Sequence, residues 1–503
     1  MPDPTRFEAL MGEVNDVLCA VNLLNWDART GMPRAGAAAR GRQAATLTRM
    51  ARDLATGDAM RLALDAARDV LGERDPRRAG LDAAEHAIAA LRRLPARLVE
   101  AAAELRGNAQ AAWAEARAAG DFAAFRPWLE RSVALQREWA EALGYADHPY
   151  DALLGQYEPG LTLAALRPLF GALAEGIRPL RDRALAAAGP DAPFLGRRFP
   201  VADQRAFALE MAGRFGYDLA RGRLDDTLHP FEIAMGRDDV RITARFRENW
   251  LPGGLFAVWH EAGHGLYEQN VDPALSRSLA TTDLLNLYAV AGASFGLHES
   301  QSRLLENRVA RSPRFWALHF DALRARFPEA LGDTGPEDVW RAVNRARPSL
   351  IRVEADELTY DAHIMLRTDI EAALISGDLA VRDVPGAWAE ALRHHLGLAV
   401  PNHREGALQD VHWASGTIGS FPTYTLGNVM AAQFFDAATR ETDVAAGLEQ
   451  GDYAPLARWL ARHVHRHGRT RTPAAILAGA TGSALDPAPY LAALAAKVDR
   501  LVA

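Results

Sequence analysis

The segment His260-Glu261-Ala262-Gly263-His264 sets two imidazoles four positions apart, with a carboxylate beside the first. On a helix that spacing places His260 and His264 about 40° apart on one face, one turn above the other, with Glu261 next to them. Two neutral imidazoles supply two of the three protein ligands of a catalytic zinc, and a neighbouring carboxylate can act as base toward a water in the open position. The bland alternative is a chance pair among 15 histidines in 503 residues. The neighbours weigh against chance. Leu255, Phe256, Val258, Trp259, Ala262 and Leu266 make this a mostly buried helix, where two histidines and a glutamate are costly to desolvate without a cation.

A zinc of the two-histidine, one-glutamate type takes its third ligand from a following helix. Thr281 to Ala310 reads as one or two helices, and Glu299 within Leu297-His298-Glu299-Ser300-Gln301-Ser302 lies a loop and a return helix beyond the pentad. Glu299 is the expected ligand. Glu268 is one turn past His264 on the same helix, too nearly collinear to close a tetrahedron, and Glu306 is two turns beyond Glu299. His298 points about 100° away from Glu299 and reads as a packing or ligand-orienting histidine.

Three further stretches carry polar chemistry. Leu350 to Tyr360 sets Arg352, Glu354, Asp356, Glu357 and Tyr360 among apolar residues. Arg352 is either the partner of Asp356 in an i,i+4 ion pair or a guanidinium fork for a carboxylate. The polar, glycine-rich loop from Gly406 to Tyr424 carries His412 and Tyr424, each able to donate a hydrogen bond to a developing oxyanion. His463-Val464-His465-Arg466-His467 alternates in the manner of a solvated basic tip.

The elements that must position these groups are mainly helices. From Arg6 to about Ala188, apolar residues return at three and four, as in Leu129, Val133, Leu135 and Trp139. Breaks at Gly31-Met32-Pro33, Gly72 to Pro76, Gly107-Asn108, Gly120-Asp121, His148-Pro149 and Glu158-Pro159-Gly160 divide the run into hairpins of long helices. The rhythm changes before the pentad: Phe231 to Met235 and Asp239 to Phe246 alternate with period two around Gly236-Arg237-Asp238, a hairpin signal. Such a sheet either offers an edge to an extended peptide or merely covers the core.

Composition narrows the classes. With 49% hydrophobic residues the chain can bury a large core, and 57 basic against 64 acidic residues leave a formal charge of −7, so no basic field is available for nucleic acid or an anionic membrane. The single Cys19 cannot form an internal disulfide, Met1 to Asn25 has no leader pattern, and no apolar run approaches membrane-span length, so the expected compartment is the cytoplasm.

Taken in order, His229-Pro230-Phe231, the D-x-R-x-T stretch from Asp239 to Thr243, the pentad, His298-Glu299-Ser300-Gln301, Ile351-Arg352-Val353-Glu354-Ala355-Asp356 and the G-x-x-Q-D-x-H-W stretch from Gly406 to Trp413 resemble the carboxypeptidase Taq family of metallocarboxypeptidases. Weaker likeness runs upstream through Trp26-Asp27, Met32-Pro33 and Tyr157 to Gly160. The resemblance implies a mostly α, two-lobed fold with a small β-sheet lining a deep groove, and one peptidase domain. Residues 1–190 would form a helical N-terminal lobe, and residues 191–503 a lobe with the sheet, the zinc site and the C-terminal helices. It implies a homodimer that removes single C-terminal amino acids with broad specificity. His260, His264 and Glu299 would hold Zn2+, with Co2+ as a substitute. Glu261 would be the base, and Arg352 would receive the substrate's free carboxylate, while His412 and Tyr424 act on the tetrahedral intermediate. Arg241 and Gln409 fall on the substrate side, Arg241 serving the same carboxylate or bracing the sheet. A zinc oligopeptidase or dipeptidyl carboxypeptidase is the nearest rival, and a non-catalytic zinc-containing peptide-binding protein, for which loss of Glu261 would be the signature, is the rival from another class.

Overall fold

Helix follows helix from Pro4–Arg29 to Ala488–Val502 in the computed structural model, which describes residues 4–70, 78–187 and 192–503. Local chemistry sets the joints. Gly120, at φ 69°, ends the helix Ala96–Ala119, and the carboxylate of Asp121 accepts from the amides of Ala123 and Ala124 to start Phe122–Leu143. At the next joint His148 caps Pro149–Tyr157 by accepting from the Tyr150 amide. The break read at Gly72 to Pro76 and the division expected at 190/191 lie outside the described residues. None of the described helices is long and apolar enough to cross a membrane.

By proximity the chain forms two compact units, each threaded by three stretches. The first comprises Met1–Leu91, Pro190–Val343 and Gly427–Leu485, and the second Arg92–Gly189, Asn344–Leu426 and Asp486–Ala503.

In the first unit the N-terminal helix Pro4–Arg29 buries Phe7, Leu10, Met11, Val14 and Leu18 against Ala51, Ala55, Met60 and Leu64 of the next two helices. Lower on the same helix, the Asn22 amide donates to the carbonyls of Ala234 (2.8 Å) and Ala289 (2.9 Å), which ties it to two small sheets. One of these contains the expected hairpin: β2 (Glu232–Ala234) runs antiparallel to β3 (Val240–Ala244). β1 (Gly222–Asp226) joins it in parallel, giving the order β1-β3-β2. Sequence reading misses β1 because Gly-Arg-Leu-Asp-Asp shows no apolar alternation. Glycine is required at its first position, since a Cβ on Gly222 would stand 2.2 Å from the Tyr217 hydroxyl and 2.6 Å from the Val240 carbonyl.

The stretch from Thr281, read as helical, begins otherwise. β4 (Thr282–Asp283) and β5 (Tyr288–Ala289) form a two-stranded ladder. Asp283 turns the chain between them by accepting from the Asn286 amide, and Leu287 takes a left-handed φ of 51°. Only from Phe295 does the helix run, entered through Ser294, whose hydroxyl accepts from the Leu297 amide.

The second unit is helical, centred on Tyr360–Ser376, which is buried along most of its length. Its Asp361 accepts from Thr425 (2.7 Å) and Tyr490 (2.9 Å), which fixes the first turn of Pro422–Thr439 where Tyr424 stands.

Candidate metal centre

The pentad lies within the helix Leu251–Gln269, which buries residues on every side. Proline is tolerated at position 252 because the amides of a first turn lack helical partners anyway. The helix Phe295–Arg303 crosses it at the pentad. Gly263 is what permits the crossing: a Cβ there would stand 2.5 Å from both the Gln301 carbonyl oxygen and Ser302 Cα.

That crossing brings Glu299 to the two histidines. Its Oε2 lies 3.3 Å from His264 Nε2 and 3.7 Å from His260 Nε2, and the three donor atoms lie within 4.8 Å of one another. Ligands about 2.1 Å from a common tetrahedral centre stand about 3.4 Å apart, so the donors nearly match that geometry. The other oxygen of Glu299 accepts from Arg303 Nε at 2.7 Å, which turns Oε2 toward the imidazoles.

Outer partners set the tautomers. Glu306 Oε2 is 2.9 Å from His260 Nδ1, so that nitrogen carries the proton and Nε2 presents its lone pair. Behind His264 stands a longer chain: His264 Nδ1 is 2.7 Å from His298 Nδ1, and His298 Nε2 is 3.0 Å from Glu268 Oε1. Glu268 also accepts from the Ala291 and Gly292 amides. As an acceptor it places a proton on His298 Nε2, His298 Nδ1 then accepts from His264 Nδ1, and His264 Nε2 is left with a lone pair toward Glu299. Both imidazoles therefore aim lone pairs at one point beside a carboxylate, a donor set that fits a divalent zinc-like ion. Sequence reasoning sets Glu268 and Glu306 aside as ligands, yet nothing in the sequence shows them to be the groups that orient the histidines. They are reached only through the tertiary fold.

Electrostatics favour a neutral His264 and an anionic Glu299, whereas at His260 burial is outweighed by Glu299 and Glu306, which raise it. Burial holds His264 down at about 3. Burial opposes ionisation of Glu299, but Arg303 and His260 outweigh it and hold this carboxyl well below the usual range. Glu261 is only 6% exposed. Burial pushes it up to about 7, with His260 pulling the other way.

The remaining expected residues fall into two places. Arg241, in β3 of the first unit, donates from Nε and Nη2 to both oxygens of Asp239 at 2.8 Å, with its guanidinium 4.2 Å from the Trp26 ring centre. The other four, Arg352, Gln409, His412 and Tyr424, belong to the second unit. Arg352 does not pair with Asp356: the chain there is a short 3₁₀ turn, Arg352–Glu354, and Asp356 instead accepts from the Arg347 and Leu358 amides and Thr359. Its partner is Asp410, reached by Nε (3.1 Å) and Nη2 (2.9 Å), while Nη1 donates to the Tyr360 hydroxyl (3.0 Å). Burial pulls Arg352 down, but Asp410 and Tyr360 more than offset it and hold the guanidinium above its ordinary value. Asp410 is shared with Arg367, which donates from Nε at 2.7 Å.

Gln409 spends both ends of its amide on backbone. It accepts from the Arg352 amide (2.9 Å) and donates to the Leu350 carbonyl (3.0 Å), which locks the turn that carries Arg352. His412 Nε2 and the Tyr424 hydroxyl are 3.3 Å apart. The loop between them is held by Glu371, which accepts from Trp413 Nε1, the Gly419 amide and the Tyr150 hydroxyl. The histidine-rich tip is not solvated throughout. His465 is 1% exposed and bonds Gln301, two residues past Glu299, at 2.9 Å.

A largely helical chain with a small mixed sheet and a two-histidine, one-glutamate cluster is that of a metallopeptidase. The model of the carboxypeptidase Taq (M32) metallopeptidase family matches residues 6–498, and the chain belongs to that family. It is 42% identical over 493 residues to thermostable carboxypeptidase 1 of Thermus thermophilus, covering 95% of each chain. It is 37% identical over 488 residues to carboxypeptidase 1 of Bacillus subtilis, covering 96% of this chain and 95% of the relative. The crystal structure of the M32 carboxypeptidase from Deinococcus radiodurans R1 matches with a TM-score of 0.94 and 38% identity, covering 99% of both chains. The chain is a metallocarboxypeptidase, as the motifs implied, and acts on peptides.

Proposed function

We propose that this metallocarboxypeptidase is a zinc exopeptidase that releases single C-terminal residues with broad specificity. The observation that carries the reading is the convergence of His260, His264 and Glu299 beside the buried Glu261. His260 Nε2, His264 Nε2 and Glu299 Oε2 would hold the ion. Bound there, zinc would supply Lewis-acid chemistry to a substrate carbonyl and to the attacking water. Cobalt, with similar ligand preferences, would substitute.

Glu261 takes the water's proton and later gives it to the leaving amine. His412 and Tyr424 donate to the oxyanion of the tetrahedral intermediate. Arg352 keeps two of its five N–H donors beyond those spent on Asp410 and Tyr360, and receives the C-terminal carboxylate with them. A free carboxylate is what distinguishes the last residue from an internal one. Gln409 keeps Arg352 in place, and Arg241 braces the sheet. The family resemblance supports a homodimer and a single peptidase domain, and the lone Cys19 suits the cytoplasm.

Mass spectrometry of an unmodified peptide and its C-terminal amide, after incubation with zinc-loaded protein, tests the reading. Stepwise loss of single residues from the free acid alone is expected. Release of dipeptides or larger fragments would move the assignment to a dipeptidyl carboxypeptidase or oligopeptidase.

A further inference from the structure

Arginines near a peptidase centre are the natural receivers of a substrate's negative groups, and the two that the motifs single out already face carboxylates, Arg241 on Asp239 and Arg352 on Asp410. Arg29 does not. It is the last residue of the helix Pro4–Arg29, and its guanidinium carbon lies 3.5 Å from the centre of the Phe231 ring. Among the described residues that guanidinium makes no hydrogen bond and no ion pair.

Both halves of this stack are fixed. The Arg29 carbonyl accepts from the Thr227 hydroxyl at 3.2 Å, which anchors the helix end to the chain leading into β2. Phe231 immediately precedes β2 and is locked to β3: its amide donates to Thr243 Oγ1 (2.9 Å), and the Thr243 amide donates to its carbonyl (3.0 Å). β2 and β3 both pack on the helix that bears the pentad. The charge is felt there, because Arg29, after His260, draws Glu261 down against its burial. Partial desolvation lowers Arg29 in turn. A guanidinium held face-on to a pinned ring gains cation–π attraction while its edge N–H donors stay free, and Arg29 is exposed, so those donors are open to an incoming anion.

We propose that Arg29 is a substrate-binding residue that receives a carboxylate of the bound peptide within the metal-bearing unit. This rests on the carboxypeptidase reading. The carboxylate has two possible sources, the C-terminus itself or an acidic side chain in the last two residues.

The test is steady-state kinetics of the full-length, metal-loaded protein on three N-blocked peptides ending Ala-Ala, Glu-Ala and Ala-Glu, with Arg29→Ala and Arg29→Lys beside the wild type. A charge-assisted contact of this kind is expected to raise KM by about ten-fold or more in Arg29→Ala with kcat nearly unchanged, and Arg29→Lys should recover part of the loss. A uniform rise on all three peptides assigns Arg29 to the C-terminal carboxylate. A rise confined to one glutamate-containing peptide assigns it to that side chain. Two results overturn the proposal: KM within two-fold of wild type on every peptide, or an equal fall in kcat on all three that lysine does not recover. Absence of single-residue release by the wild type would instead count against the carboxypeptidase reading.

Discussion

Replacing Gly263 by alanine adds one methyl group at the crossing of two helices. The new Cβ would meet backbone atoms of Gln301 and Ser302 at 2.5 Å, and backbone cannot swing aside as a flexible side chain would. Ordinary contact begins near 3.4 Å, so the helices must part by roughly 1 Å. Glu299 rides on the displaced helix, whereas a metal tolerates ligand distances only within about 0.2 Å. Metal affinity should fall by ~10- to 100-fold, the size of loss seen when the groups that position a ligand are disturbed. Folding stability should change less. Overpacking costs about 1–3 kcal/mol, and alanine returns about 1 kcal/mol of helix propensity. Competition with a zinc chelator measures the first effect, and thermal unfolding of the metal-free protein the second. A variant that binds zinc within two-fold of wild type would refute the reasoning, since it would mean that the crossing relaxes without moving Glu299.

Other substitutions probe single groups. Glu261→Gln should keep one metal per chain and lose ~10²-fold or more in kcat, and activity within a few-fold of wild type would remove Glu261 as the base. Glu299→Ala should lose metal affinity together with rate, while His298→Ala, which removes only a partner of His264, should retain metal near one per chain under saturating zinc; full occupancy in the Glu299 variant would shift the ligand to another acid. Arg352→Ala should lose ~30-fold or more in kcat/KM on free-acid peptides and discriminate less against amides. Asp410 keeps Arg367 in that variant, so the fold should survive, and an undiminished preference for the free acid would sink the role given to Arg352.

What the sequence disclosed follows from which constraints are local. The pentad was legible because a metal fixes the spacing of its histidines on one helix, and Glu299 followed from the need for a carboxylate on a later one. Most of the helices and the β2–β3 hairpin were legible from period and turn residues, but the break read at Gly107-Asn108 falls inside the unbroken helix Ala96–Ala119, where packing overrides the weak helix preference of Gly and Asn. β1 was not, because a short polar strand that pairs with a distant one leaves no periodic trace. Of the two readings of Arg352, the i,i+4 pair with Asp356 fails because the segment is a 3₁₀ turn, and the partner Asp410 lies 58 positions away, beyond any local pattern. His465 looked like surface because its neighbours Arg466 and His467 are polar, and only the fold shows Gln301 waiting for it.

The threading of the first unit bears on the order of events during synthesis. His260, His264 and Glu299 leave the ribosome well before Gly427, the residue whose bare Cα lies against Glu299, and before His465, which holds Gln301. At ~5–20 residues per second, the remainder of that unit, through Leu485, arrives on the order of ten seconds later. Until then the ligand-bearing helices are made but not backed. A chain stopped short of that last stretch would carry every residue of the metal cluster and still lack the packing that holds Glu299 in register with the histidines.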